Sequence, residues 1–118
     1  MARLKRVGPL GAVIERSAVF ALTRRVFRVP AGRLAQAWRE YGGRAATYRV
    51  NWSPLRAPLG PCHCIELPLL FDAPAWHDAP MLGGDPVDDR LADTMRRNWS
   101  GFAHDGIDGL DSPSLCFG

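Results

Sequence analysis

His63 is the side chain in this sequence best placed to move a proton. It stands in the stretch Gly60-Pro61-Cys62-His63-Cys64-Ile65-Glu66-Leu67-Pro68-Leu69-Leu70-Phe71, where a Gly/Pro-bounded loop leads into a short apolar run. Imidazole titrates near neutrality. Held on a loop after a strand, it can take a proton from a nucleophile and return it to a leaving group. Glu66, three residues on, could orient or polarise that imidazole from behind. As an acid near the start of a short helix it could equally satisfy local amides. By position alone His63 is also readable as a loop histidine with no task.

Other chemistries fit the same residues less well. Cys62, His63 and Cys64, with His77, His104 and Cys116 elsewhere, invite a metal reading. Structural zinc sites favour Cys-x(2–4)-Cys spacings that let both sulfurs converge, and an i, i+2 pair lacks that turn. No metal is therefore expected, and no cofactor either. Cys64 as a nucleophile paired with His63 is disfavoured, because sequence neighbours rarely align sulfur and imidazole for transfer. Three cysteines cannot all pair within one chain. In an extended backbone, Cys62 and Cys64 sit near the upper limit of Cα separation for a mutual disulfide. Reduced thiols and a cytoplasmic location are the expectation. The basic start, Met1 to Arg6, resembles that of a signal peptide, but Glu15-Arg16 cuts the apolar segment short. No run approaches the roughly 18 apolar residues of a membrane span, so no membrane association is expected.

The elements that must position His63 can be read in order. Residues 1–17 hold Gly8-Pro9 and Gly11 and predict a poorly ordered leader with a short helix from Ala12. Ala18 to Arg28 predicts a helix stopped at Pro30. A second runs from Ala31 to Tyr41, with Leu34, Trp38 and Tyr41 on one face and Gly42-Gly43 as its left-handed end. Residues 45–52 alternate, with Tyr48, Val50 and Trp52 to one side, which predicts a strand. A Pro-rich loop then carries the chain to His63, and Ile65 to Phe71 predicts one or two helical turns. Beyond a loop over 72–84, Asp85 as N-cap and Pro86 as first residue predict a last helix. Val87, Leu91, Met95, Trp99 and Phe102 form its apolar stripe, which reads as core. The chain ends on a candidate edge strand from Leu115.

Together these stretches resemble the C-terminal part of the type B carboxylesterases, the carboxylesterase and cholinesterase family of the α/β-hydrolase fold. Gly60 to Phe71 matches that family's Gly-x-x-His-x-x-Glu/Asp-Leu-Pro-x-x-Phe segment. Val26-Phe27-Arg28-Val29-Pro30-Ala31 is similar to its preceding helix, and Tyr48 to Pro54 resembles its Tyr-x-Phe-x-Trp strand. Leu91 to Gly106, with Trp99 and Phe102-Ala103, resembles its long last helix. The likeness covers about residues 20 to 106 in the family's own order. Pro61, Cys64 and Arg24 depart from the usual residues, and the segment after Gly106 is short.

The resemblance implies an α/β class with an incomplete sheet, residues 18–118 forming the C-terminal part of a hydrolase domain. It also implies a serine ester hydrolase in which His63 closes the triad. Such an enzyme needs a serine on a Gly-x-Ser-x-Gly turn, an oxyanion hole and a carboxylate, in the chain order serine, acid, histidine. None of Ser17, Ser53, Ser100, Ser112 and Ser114 has glycine at both flanking positions. Alone, the chain is expected to be inert. A partner chain carrying the serine would complete the site, and a small ester would be substrate only in that assembly. The alternatives are a non-catalytic interaction module and a basic anion-binding module. Cut from its sheet, the chain is expected to self-associate.

Charge bears on the last alternative. Residues 1–60 hold 12 Lys and Arg against Glu15 and Glu40, a balance of +10, and residues 61–118 hold 3 against 10 acids, a balance of −7. A basic half can mark nucleic-acid binding. These arginines are spread singly, without stacked aromatics, so a solvated or internally paired face is expected instead. A chain of 118 residues suits one domain.

Overall fold

Residues 9–40 wind as a nearly unbroken helical run in the computed structural model, which describes residues 9–118. Helix α1 spans Pro9–Thr23, a π-helical turn Arg24–Arg28 follows, and α2 spans Val29–Glu40. Pro30 therefore does not stop the helix as its ring predicts. A proline inside an α-helix lacks a donor and presses on the carbonyl four residues back. Here the Val29 N–H reaches the carbonyl of Arg24, five residues back, and the wider turn accommodates the ring. Val29 stays helical at φ −67° although it precedes proline. The helix expected from Ala18 thus begins at Pro9, and residues 1–8 of the expected leader lie outside the described residues. The run ends as Gly42-Gly43 predicts. Gly42 takes φ +82°, its N–H bonds the Arg39 carbonyl, and the Gly43 N–H bonds the Trp38 carbonyl.

The chain divides after Gly43 into two units, Met1–Gly43 and Arg44–Gly118. The second contains both described strands. β1 spans Thr47–Val50 and pairs in parallel with β2, Ser114–Phe117, with Tyr48 opposite Leu115 and Val50 opposite Phe117. The strand is shorter than 45–52, although Asn51 and Trp52 both donate to the Phe117 carbonyl and prolong the contact. A parallel pair needs a long crossover. That crossover carries α3, Leu67–Leu70, two 3-10 turns at Pro74–Asp78 and Pro80–Leu82, and α4, Asp89–Asp105. The result is a mixed helix–strand unit, compatible with part of an α/β fold.

Its core joins α3, α4 and the sheet. Leu69, Ala92, Met95 and Phe117 are buried together, with Val50, Trp52, Leu91 and Leu115 against them. Each fully buried Leu or Met contributes about 1.5–3 kcal/mol. The apolar stripe of α4 is core only in part: Met95 is enclosed, whereas Trp99 and Phe102 are 42% and 45% exposed. Tyr48 packs edge-on against Trp99, 5.6 Å between ring centroids. The N-cap of α4 is also not where Pro86 suggests. Asp88 caps the helix, its carboxylate accepting from the Leu91 N–H at 3.0 Å. Asp85 lies before the helix and instead binds Arg56, accepting from its backbone N–H at 2.8 Å and its Nε at 2.6 Å. That pair ties the Pro-rich loop to the turn before α4.

A buried asparagine returns the chain to the sheet. Asn98 is 2% exposed, donates to the Thr94 carbonyl and the Asp111 carboxylate, and accepts from the Asp111 N–H. Gly101 and Gly109 pass so close that a Cβ on either would strike the other's carbonyl. Four of the six arginines in this unit pair with aspartates: Arg44 with Asp108, Arg56 with Asp85, Arg96 with Asp93 and Arg97 with Asp111. Internal pairing accounts for much of its share of the charge.

Candidate active-site histidine turn

The backbone around His63 is wound tightly by successive turns. Gly60 adopts φ +61°, and its carbonyl accepts from the Cys62 N–H at 2.7 Å across Pro61. The Cys62 carbonyl then accepts from the Ile65 N–H at 3.2 Å, closing a four-residue turn with His63 and Cys64 at its centre. Cys64 sits at φ +68°, the sole left-handed non-glycine among the described residues. A positive φ at the third position of such a turn is the type II pattern, which favours glycine. A side chain there costs on the order of 1–2 kcal/mol. The Cys64 carbonyl accepts from the Leu67 N–H at 3.0 Å, and α3 starts with Pro68 in its first turn.

Two buried anchors hold this turn. Ile65 is 2% exposed and Leu69 is fully enclosed, so the chain is pinned directly after His63 and again on α3. His63 itself faces solvent. Among the described residues no group hydrogen-bonds its imidazole, and it lines neither the hollow walled by Tyr48 and Trp99 nor that walled by Trp76 and Pro86. The geometry presents an exposed imidazole on a turn pinned by two buried side chains.

Glu66 follows at the head of the short helix. It occupies the N-cap position of α3, but its carboxylate makes no capping bond, so it does not satisfy local amides. Its charge is felt at Tyr48 instead. Burial raises the Tyr48 phenol above its ordinary range, and the Glu66 carboxylate pushes it further. No hydrogen bond links Glu66 to His63 among the described residues. Cys62 and Cys64 are free thiols, half-buried on either side of His63, and Cys116 is a third free thiol on β2. No cluster of three metal-ligating side chains occurs among the described residues.

Sequence reasoning missed one feature elsewhere in this unit. A hollow of about 170 Å³ lies where Tyr48, Trp99, Phe102, Leu115 and Phe117 meet. The stripe on α4 and the alternation in β1 both signalled its walls. Neither signalled that Trp99 and Phe102 stay half-uncovered.

Comparison with known proteins relates the chain to part of a longer hydrolase. The chain is 37% identical over 112 aligned residues to a probable N-octanoylanthranilate hydrolase of Rhodococcus erythropolis. The alignment takes in 90% of this chain and 23% of that protein, so the chain spans about a quarter of the relative's length. An alignment of that extent includes the middle of the chain, and with it Gly60 to Phe71. No protein-family profile matches the chain. No solved structure matches it either.

Proposed function

We propose that this chain is the histidine-bearing C-terminal segment of a serine hydrolase of the α/β-hydrolase, type B carboxylesterase kind. His63 is its general base and then its general acid. The observation that carries the proposal is the 37% identity to a hydrolase across a stretch that contains His63. The site agrees with it: an exposed imidazole, without a hydrogen-bond partner among the described residues, on a turn braced by Ile65 and Leu69. A parallel two-stranded sheet also suits a piece of a larger one, because parallel sheets normally stand with neighbours and both faces covered.

In this reading a serine from the rest of the hydrolase, on the same polypeptide or a partner chain, attacks the carbonyl carbon of the substrate. His63 accepts the serine proton, then donates it to the leaving group, and a water reverses the two steps to release the acid. The oxyanion hole and the orienting carboxylate come from the same remainder. The substrate is a carboxylic ester or, following the relative's name, an acylated aromatic amine.

A chimera tests this. Residues 20–106 replace the matching segment of the relative, and hydrolysis of N-octanoylanthranilate is followed. The expected result is activity in the chimera, a loss of at least about 10³-fold in His63→Ala, and none from the isolated chain. Activity that survives His63→Ala in a folded chimera would sink the assignment.

A further inference from the structure

We infer that Cys62 and Cys64 form a reversible dithiol–disulfide site that closes across His63, with a low-molecular-weight disulfide as oxidant. In the folded protein the two cysteines do not lie on an extended strand. Cys62 and Cys64 are the first and third residues of the turn closed by the Ile65 N–H on the Cys62 carbonyl. The Cys62–Cys64 separation is set by the dihedrals of His63 between them. The positive φ of Cys64, +68°, with none at His63, marks the turn as type II, whose second residue takes φ of about −60° and ψ of about +120°. That is short of full extension, so the separation falls below the roughly 7 Å of two extended steps and into the range of about 4.4–6.8 Å that a disulfide accepts. Both cysteines are free and only half-buried.

The chemistry balances without a further reagent. One cysteine thiolate attacks a sulfur of the oxidant and expels its first thiolate. The second cysteine thiolate attacks the resulting mixed disulfide and expels the other. The pair loses two electrons and two protons, and the oxidant leaves as two thiols. A ring this small is strained, which makes the bridge readily reducible and the step reversible. His63 is enclosed by the ring, so closing it fixes the turn on which the imidazole stands. The site does not depend on His63 being a catalytic base.

The experiment uses the full chain with Cys116→Ser, which leaves only the pair. Oxidised glutathione is added, and the protein is cleaved after Arg56 and Arg90, giving one peptide that holds both cysteines. The expected product is that peptide lighter by two hydrogens, free of glutathione, and restored by dithiothreitol. Cys64→Gly in the same background should give only a glutathione adduct at Cys62. Single-cysteine adducts or cross-linked dimers with no internal bridge would overturn the inference. The acylation rate of His63 by diethylpyrocarbonate should differ between the two states, and an unchanged rate would overturn the coupling to the imidazole.

Discussion

The two units of this chain solve the problem of apolar surface in opposite ways. In Arg44–Gly118, Leu69, Leu82 and Met95 are fully enclosed, and three hydrogen bonds satisfy the one buried polar side chain, Asn98. In Met1–Gly43, no described residue is buried: Phe27 is 67% exposed, Leu34 73% and Trp38 59%. Local bonds there include the Gly42-Gly43 cap and the Gln36–Glu40 bond at 2.9 Å. Helices without tertiary packing are marginal even when long. One unit carries its own core, and the other carries a surface that needs covering. In the proposed function the remainder of the hydrolase covers it.

The sharpest way to break that contrast is to make the same substitution in both units. Leu69→Ala should cost about 2–5 kcal/mol, since it empties a closed site between α3 and α4. Leu34→Ala should stay within about 0.5 kcal/mol, because a surface position has no cavity to leave. Urea titration followed by near-ultraviolet dichroism measures both. Equal losses would mean that α2 is packed after all. Asn98→Ala should fall between them, about 1–3 kcal/mol, by leaving the Asp111 N–H buried without its acceptor.

The exposed surface gives a second test. Isolated chains should associate, because apolar patches beyond a few hundred Å² are rare on monomers. Sedimentation velocity should show oligomers that disperse when Phe27, Leu34 and Trp38 are replaced by serine. A monomer with one sharp calorimetric transition would instead mark a self-sufficient module.

What the sequence made legible follows from the range of each interaction. The end of α2 was readable because Gly42-Gly43 acts on its own neighbours. The strand at Thr47–Val50 and the helical turn at Leu67–Leu70 were readable because their periods are local. The cap of α4 was not. Asp85 and Asp88 are equally good caps by type, and only Arg56, 29 residues before Asp85, decides between them. The passage through Pro30 was hidden because a π-helical turn has no sequence signature of its own. At the candidate site, the loop that carries His63 was readable. Its turn geometry was not, because Cys64 gives no hint of a glycine-like φ.

That geometry supplies a smaller test. Cys64→Gly should stabilise the second unit by about 0.5–1 kcal/mol, the relief of a left-handed side chain less the extra freedom of the unfolded glycine. A thermal melt under reducing conditions reads it. A loss of stability would mean that the half-buried Cys64 side chain contributes packing that outweighs its strain. Among the described residues the first unit offers no counterpart, since the left-handed residue there, Gly42, is already glycine.

The finest distinction concerns acid. Asp85 is held below the ordinary carboxylate range by the Arg56 N–H and guanidinium, Asp111 by the Asn98 amide and Arg97, and Asp108 by Arg44. A lowered folded pKa means that the folded chain binds fewer protons than the unfolded one. The stabilisation is therefore present above the unfolded value of about 3.9 and is lost as pH falls through each lowered value. All three pairs lie in the second unit, whereas Met1–Gly43 holds only two carboxylates, Glu15 and Glu40. Acid titration should thus erode the aromatic packing signal of the second unit. Asp85→Asn and Asp111→Asn should each flatten that acid limb, since Asp85 also fixes a backbone N–H and Asp111 also holds Asn98. Asp108→Asn should do least, because both partners of the Arg44 pair are more than half exposed and solvent screens them. An Asp108→Asn profile as flat as that of Asp111→Asn would show that surface pairing, rather than the Asn98 clamp, sets the acid limit of this unit.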